Sequence, residues 1–487
     1  MAVLALGLNA TAAADSGITG PTLPLNDLEA MMGLAAGSLA PMKTPVVAPS
    51  PPLRPVPRAR CSAASRPLAG QQGRLTWADV RSPAAAKGWT CNVSVVSHVA
   101  TPGGFRVWRY RDPAGHTCVY YDTSFTAPAN LISVAGGPSL GVEVLDVSAP
   151  AHPRHTATLM SLAMLTPHES LNLNARRGLL VAEAGNALTL PGTMDVYDVR
   201  SDCRHPRLLS QRPIATGHES GFSPDGRTYY VAGAVGYITA FDLTDPRHPQ
   251  SLWRGAYYSH GLNLSADGRT LYQTDPINGN LGLLDVGQIQ DRDPDPQVSE
   301  ISRITWSTVS IPQNTVPFTR GGHHYLAEFD EFAFRFNPAT VADKVGAARI
   351  IDIDDPTKPR IVSNVRLAIN MRANHRAAAG DPTPLAAFKP LGGGFHYCAL
   401  PTTTDPTIMA CSTLTSGLRI FDIRDPARPR EVGYYLAPPK AGHLLGLLPG
   451  EVAFSQPAFD PRRHIVYYTD AGAGFYALKL DRRAWPR

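Results

Sequence analysis

The stretch SGLRIFDIRDPARPREVGYYL, residues 416–436, decides the fold. Its first part is a short alternating apolar strand ending in Asp422 and the aliphatic Ile423. Asp422 can accept hydrogen bonds from turn amides, and Pro426 and Pro429 lock a tight exit from the strand. EVGYYL then supplies the next strand. Six more strands of this kind occur: GVEVLDV (141–147), TMDVYDV (193–199), YITAFDL (237–243), NLGLLDV (280–286), AARIIDI (347–353) and GFYALKL (474–480). Three share the prolyl tail: SAPAHPR (148–154), TDPRHPQ (244–250) and DDPTKPR (354–360).

A second pattern precedes several of these strands. HESGFSPDGRTYYVAG (218–233) and HGLNLSADGRTLYQTD (260–275) each read as a strand, an S-x-D-G turn and another strand. Asp-Gly supplies the positive-φ positions that a hairpin turn wants. One unit therefore comprises four antiparallel strands, which is a propeller blade. Seven units predict an all-β fold, a seven-bladed β-propeller over residues 76–487 with its terminal strands sharing one blade. The signature aspartates lie 52, 44 and 43 residues apart from Asp146 to Asp285, then 67 and 70 apart to Asp352 and Asp422. Insertions are thus expected in the fifth and sixth blades, around Ile311–Asn337 and Asn370–Gly394.

Strands of the form RIFDIRDPARPREVG resemble the LVIVD-repeat family of bacterial propellers, as do ESLNLN, GHESGFSPDGRTYY and SGLRIFDI. The resemblance spans roughly Cys91 to Leu480; it implies the fold and little about activity. A shorter likeness, a His opening an S-x-D strand, exists to selenium-binding proteins and bacterial methanethiol oxidases. No copper site is carried across on it.

Composition narrows the setting. A 43% hydrophobic content allows a sizeable core, and 42 glycines with 45 prolines suit short strands and tight turns better than helices. The net charge of +5 is weak for 487 residues, and no basic run interleaved with aromatics occurs, so nucleic acid is not an expected partner. The run MAVLALGLNATAAA, residues 1–14, resembles the apolar region and small-residue cleavage site of a secretory signal, although its basic start is missing. Nothing later reaches the length of a transmembrane span. Residues 15–75 are rich in Pro and Ala without periodicity and read as a disordered leader. Six cysteines without a CxxC fit an oxidising, secreted or periplasmic setting. Cys398 with Cys411 and Cys91 with Cys118 are the pairings with local support; buried thiols are the alternative.

Aligning the units places one residue at the start of each innermost strand in register. That residue is His218, His260 and His396 in the third, fourth and sixth units, with His323 chosen for the fifth beside His324. The second unit gives Glu169 next to His168, and the seventh gives Ser455 followed by Gln456. Innermost strands line the central channel, so these side chains are expected to converge on the axis. Imidazoles with a carboxylate suit a divalent transition metal such as Fe, Cu, Mn or Zn. His218, His260, His323 and His396 are the candidate ligands, with Glu169 and Glu219 as catalytic or supporting carboxylates. His168, Tyr258, His324, Phe395, Tyr397 and Gln456 are expected around a substrate. Axial metal with four His occurs in the carotenoid cleavage oxygenase propellers, an analogy of architecture alone. A His opening an inner strand can equally cap backbone groups or bind channel water. The acidic run AEFDEF, with Glu328, Asp330 and Glu331, reads as a solvated strand edge rather than a Ca²⁺ loop, because EF-hand spacing is absent. No GxSxG, HExxH or Walker motif is present.

Two functions fit. One is a metal-dependent enzyme acting on a small organic substrate by oxidation, lyase or cyclisation chemistry at the His-lined rim. The other is a non-catalytic periplasmic or cell-surface propeller that binds a protein or glycan through its inserted loops.

Overall fold

The computed structural model describes residues 42–486 apart from 102, 124–140, 185–191, 215–216, 234–235, 332–345, 379–380, 382–393 and 440–451. Among the described residues, seven sheets follow one another along the chain, each built on four antiparallel strands ordered from the axis outward, and two of them carry a fifth strand at the outer edge. The innermost strands are Val107–Arg111, Asn172–Asn174, Gly221–Phe222, Leu262–Leu264, Ile311–Arg320, Tyr397–Ala399 and Ala458–Asp460, in blades 1 to 7. The seven signature stretches supply the third strand of each blade. The expected seven-bladed propeller is what forms.

Alternation explains why the signature strands are apolar throughout. In blade 6, Leu418 and Ile420 join a core cluster with Val466, Tyr468 and Leu478 of blade 7, while Phe421 joins one with Phe329 and Ile350 of blade 5. Both faces of a blade are buried against neighbours, so neither face can be polar. Asp422 performs the turn role read from its sequence: its Oδ1 accepts from the Arg424 amide at 3.0 Å and its Oδ2 from the Arg430 guanidinium at 2.9 Å. In the S-x-D-G turns, Ser223 and Ser265 bond Asp225 and Asp267, and Gly226 and Gly268 take φ of +72° and +76°.

The ring closes in blade 7, where Val93–Val99 pairs antiparallel with Gly474–Leu480. The stretch 89–123, which as a run of strands ahead of the first signature strand reads as the start of blade 1, is therefore shared out among three blades. Trp89–Cys91 adds a fifth strand to blade 6, and only Val107 onward belongs to blade 1. Of the expected insertions, the fifth-blade one is in part a long hairpin, Ile311–Arg320 with His323–Glu331. Residues 332–345 and 382–393 lie outside the described residues.

Two expectations are corrected. Cys398–Cys411 forms as read, between directly paired residues of adjacent strands. Cys91, however, joins Cys61, and Cys118 joins Cys203, so the proposed Cys91–Cys118 bond does not exist. Cys91 and Cys118 belong to different sheets, blade 6 and blade 1, which no local turn can bring together. The Pro-rich leader does not trail free from residue 43 onward. Val46–Val47 pairs in parallel with the outer strand of blade 4, and Pro49 and Pro57 accept from edge amides of blades 5 and 6. The presumed signal at residues 1–14 lies outside the described residues.

Candidate metal centre on the propeller axis

Four of the residues read onto the inner rim meet. The Nε2 atoms of His218, His260 and His396 lie 3.0, 3.2 and 3.1 Å from the carboxylate of Glu169. Three blades thus direct imidazoles at a carboxylate from a fourth. The cluster is buried: Glu169 and His396 are almost completely enclosed, and His218 is the most open of these four at 17% side-chain exposure. His168 stands at its side, its ring 5.1 Å from that of His218 and 4.3 Å from Phe105. The backbone of His168 takes a φ of +51°, a conformation that costs a non-glycine residue and turns the chain sharply just before Glu169.

The tautomers follow from the surroundings. The Nδ1 of His260 lies 3.2 Å from the Pro312 carbonyl, and the Nδ1 of His396 lies 2.6 Å from the Phe454 carbonyl. A carbonyl oxygen only accepts, so Nδ1 carries the proton in each ring and the Nε2 lone pair faces the axis when the ring is neutral. Burial works to raise the Glu169 carboxyl, but the imidazoles of His218, His260 and His396 overcome it and hold the group well below the usual carboxylate range. Burial also drives the His168 imidazole down to about 3, so that ring is neutral at pH 7.

His323 is not in the cluster. It sits just beyond the Gly321-Gly322 turn at the far end of the first hairpin of blade 5, exposed, with Nδ1 2.6 Å from Asp354. The inner strand of blade 5 runs Ile311–Arg320, so a residue after its turn is at the opposite mouth of the ring; His324 lines the cavity there. Its axial place is taken by Gln313, whose Nε2 donates to Glu169 Oε1 at 2.9 Å and lies 3.3 Å from His396 Nε2. A second carboxylate was missed. Glu331, at the end of the neighbouring strand, lies 3.4 Å from His260 Nε2 and 3.3 Å from His396 Nε2. The AEFDEF run is thus no solvated edge: Glu331 reaches the axis while Glu328 and Asp330 are buried against Arg349.

Beneath the histidines lies a layer built on Arg106. Its guanidinium pairs with Glu219 at 2.6 Å, donates to the Glu169 carbonyl at 2.9 Å and to Gln456, and stacks 4.6 Å over Tyr397. Glu219 therefore faces inward beside His218 rather than to the opposite side of the strand. Its amide bonds the His260 carbonyl of the next blade, an irregular strand start that frees it from alternation. Burial raises the Glu219 carboxyl, with Arg106 opposing. Tyr397 packs edge-on against His396 at 4.5 Å. Phe395, expected around a substrate, is buried in the blade core against Phe421. Tyr258 is exposed two residues before His260, and Ser455 bonds within its own blade. Below this layer the channel opens into a cavity of about 720 Å³ lined from all seven blades, including Arg106, Asn172, Glu219, Asn263, Asn314 and Gln456.

Fold and site together define a propeller with an imidazole–carboxylate cluster on its axis. The LVIVD repeat model matches residues 337–366, which hold the signature strand, prolyl turn and outer strand of blade 5. The chain is a seven-bladed β-propeller that carries an LVIVD repeat. No curated protein shows significant sequence similarity to it. Among solved structures, the β-propeller domain of Cps50 (Swd1) from Myceliophteria thermophila is similar at 11% identity and a TM-score of 0.49, over 79% of this chain and 99% of that one. Three disulfides are compatible with an extracellular or periplasmic protein. No described helix is long and apolar enough to cross a membrane.

Proposed function

We propose that the chain is a secreted, metal-dependent enzyme that holds its metal on the propeller axis and acts on a small organic substrate by oxidation, lyase or cyclisation chemistry. One observation carries the reading. Nε2 atoms from three blades face carboxylate oxygens at 3.0–3.4 Å, in two of these rings with Nδ1 bound to a backbone carbonyl. Neutral rings would set lone pair against lone pair, which is repulsive unless a proton or a cation stands between them. Charging several buried imidazoles is costly. A divalent cation meets the same need at once, because neutral imidazole and carboxylate are its preferred donors. The absence of sulfur from the set agrees with Fe, Mn, Zn or Cu(II) rather than a thiophilic ion.

Bound there, the metal would polarise a substrate oxygen or activate water or dioxygen. His218, more open than Glu169, His260 or His396, marks the side from which a substrate reaches it. Arg106 closes the other side: its pairing with Glu219 and its stacking on Tyr397 fix the floor on which Glu169 rests. The disulfides support secretion.

The test is elemental analysis of protein purified without a histidine tag. At least one transition-metal equivalent per chain is expected, removable by chelation. Replacing His218, His260 and His396 together with Ala should bring the metal to background while the β-sheet circular dichroism persists. Background metal in the native protein would end this reading.

A further inference from the structure

We infer that the axial centre takes two divalent cations, bridged by the carboxylates of Glu169 and Glu331. This rests on the metal reading above and extends it. Both carboxylates divide their oxygens in the same way. Glu169 turns Oε2 to His218 and His260, at 3.0 and 3.2 Å, and Oε1 to His396 at 3.1 Å. Glu331 turns Oε2 to His260 at 3.4 Å and Oε1 to His396 at 3.3 Å. Each carboxylate therefore spans the same two groups of imidazoles, with His218 and His260 on one side and His396 on the other.

The spacings suit metal shells. With bonds of about 2.0–2.2 Å, donors around one ion stand roughly 3.0 Å apart in an octahedron and roughly 3.4 Å apart in a tetrahedron. Two ions in a bridged pair stand about 3.5–4 Å apart, a span that one carboxylate covers with its two oxygens. Two clusters of potential ligands, each with donor atoms within 4.8 Å of one another, share Glu169 alone: His168, Glu169 and His218, and Glu169, Glu331 and His396.

Each side also holds a buried polar atom without a hydrogen-bond partner. On the first it is Nδ1 of His168; on the second it is Oε1 of Gln313, whose side chain is fully buried beside His396. Such atoms are costly unless a ligand completes them. The first ion would take His168, His218, His260 and one oxygen from each carboxylate. The second would take His396, the remaining two carboxylate oxygens and Gln313, its amide turned over so that oxygen stands where Nε2 now faces Glu169 and His396. Arg106 already neutralises Glu219, so Glu169 and Glu331 oppose only half the charge of two divalent ions. The remainder calls for hydroxide or an oxyanionic substrate group, such as a carboxylate, placed between the ions.

Metal stoichiometry tests this directly. Chelator-stripped protein is reconstituted in turn with Mn(II), Fe(II), Zn(II) and Cu(II), and bound metal per chain is measured after desalting. Two equivalents of at least one metal are expected, with the electron paramagnetic resonance spectrum of an exchange-coupled pair where that metal is Mn(II). Gln313→Leu and His396→Gln should each leave one equivalent and an uncoupled spectrum. A maximum of one equivalent in the wild-type protein overturns the bridged pair and leaves the single-metal enzyme standing. No bound metal overturns both. The wild-type count decides even where a variant fails to fold.

Discussion

Glu183 shows what the ring centre does to a carboxyl group that lacks a cationic partner. It is fully buried on the second strand of blade 2 and accepts from Ser220 Oγ at 3.0 Å. Burial pushes it up to about 8, against roughly 4.3 in an unfolded chain. Between those values the folded state keeps a proton that the unfolded state releases, so stability falls as pH rises through the window and levels off on either side. The fall attributable to this residue is on the order of 3–5 kcal/mol. Glu183→Gln, neutral at every pH, should therefore show a flatter profile. Urea denaturation at pH 5 and pH 9, with chelator in both, would show the wild-type midpoint dropping more than the variant's; parallel drops would refute the assignment. At this scale the site was only partly legible. Glu169, His218, His260 and His396 could be found because each opens an innermost strand in a repeating unit. His323 was misplaced because the long first hairpin of blade 5 breaks that register. Glu331 was hidden in an acidic run, yet a signal existed: Glu328 lies directly opposite Arg349 of the signature strand. An acidic strand paired with a buried Arg belongs to the interior.

At the scale of strands, the repeats hold one another by a bond that no single repeat reveals. The third and fourth strands shift register at the same place in blades 1 to 6, and the strand that closes blade 7 does so too. Beside this bulge, Ser97, Ser210, Ser302 and Ser363 donate to the carbonyls of Pro150, Pro246, Pro356 and Pro426 at 2.6–2.7 Å. Each acceptor is the first proline of the next blade's turn. The turn therefore serves twice, ending its own strand and anchoring the preceding blade. A β-bulge re-aims a side chain, which is how a strand position can reach sideways to a neighbouring sheet. Replacing Ser363 with Ala should cost about 1 kcal/mol, and adding the Ser210 change, distant in the ring, should add nearly independently. Chemical denaturation of the single and double variants measures this, and values near zero would make the bonds incidental. The signature strands and their turns were legible because alternation and proline placement are local. The serine bonds were not, because donor and acceptor stand 36 to 63 residues apart. The disulfides divide the same way: Cys398 and Cys411 flank one hairpin, whereas Cys118 reaches from blade 1 to Cys203 beyond the third strand of blade 2.

For the whole molecule, the telling segment is the one that carried no periodicity. Residues 43–75 cross the outer edges of three consecutive blades. Val46–Val47 extends blade 4, Pro49 accepts from Ile361 of blade 5, and Pro57 accepts from Glu431 of blade 6. Proline has no amide to donate but keeps its carbonyl, so an extended Pro-rich chain can satisfy an exposed strand edge without forming a sheet of its own. That is why composition alone read the segment as disordered. The belt is then fastened. Cys61 is bonded to Cys91, and Glu431 accepts from the Ala59 amide, the Gln72 side chain and buried Arg419. Past the fastening the chain forms the strand that closes blade 7, so belt and closure act on adjacent blades. Opening the Cys61–Cys91 loop of 30 residues, by changing both to Ser, should cost about 3–4 kcal/mol. A chain beginning at residue 76 loses that bond and the edge coverage as well, and should unfold at a lower temperature than the double-Ser variant. If the truncated ring melted with the intact protein, the belt would be a passenger, and closure in blade 7 alone would account for the stability of the circle.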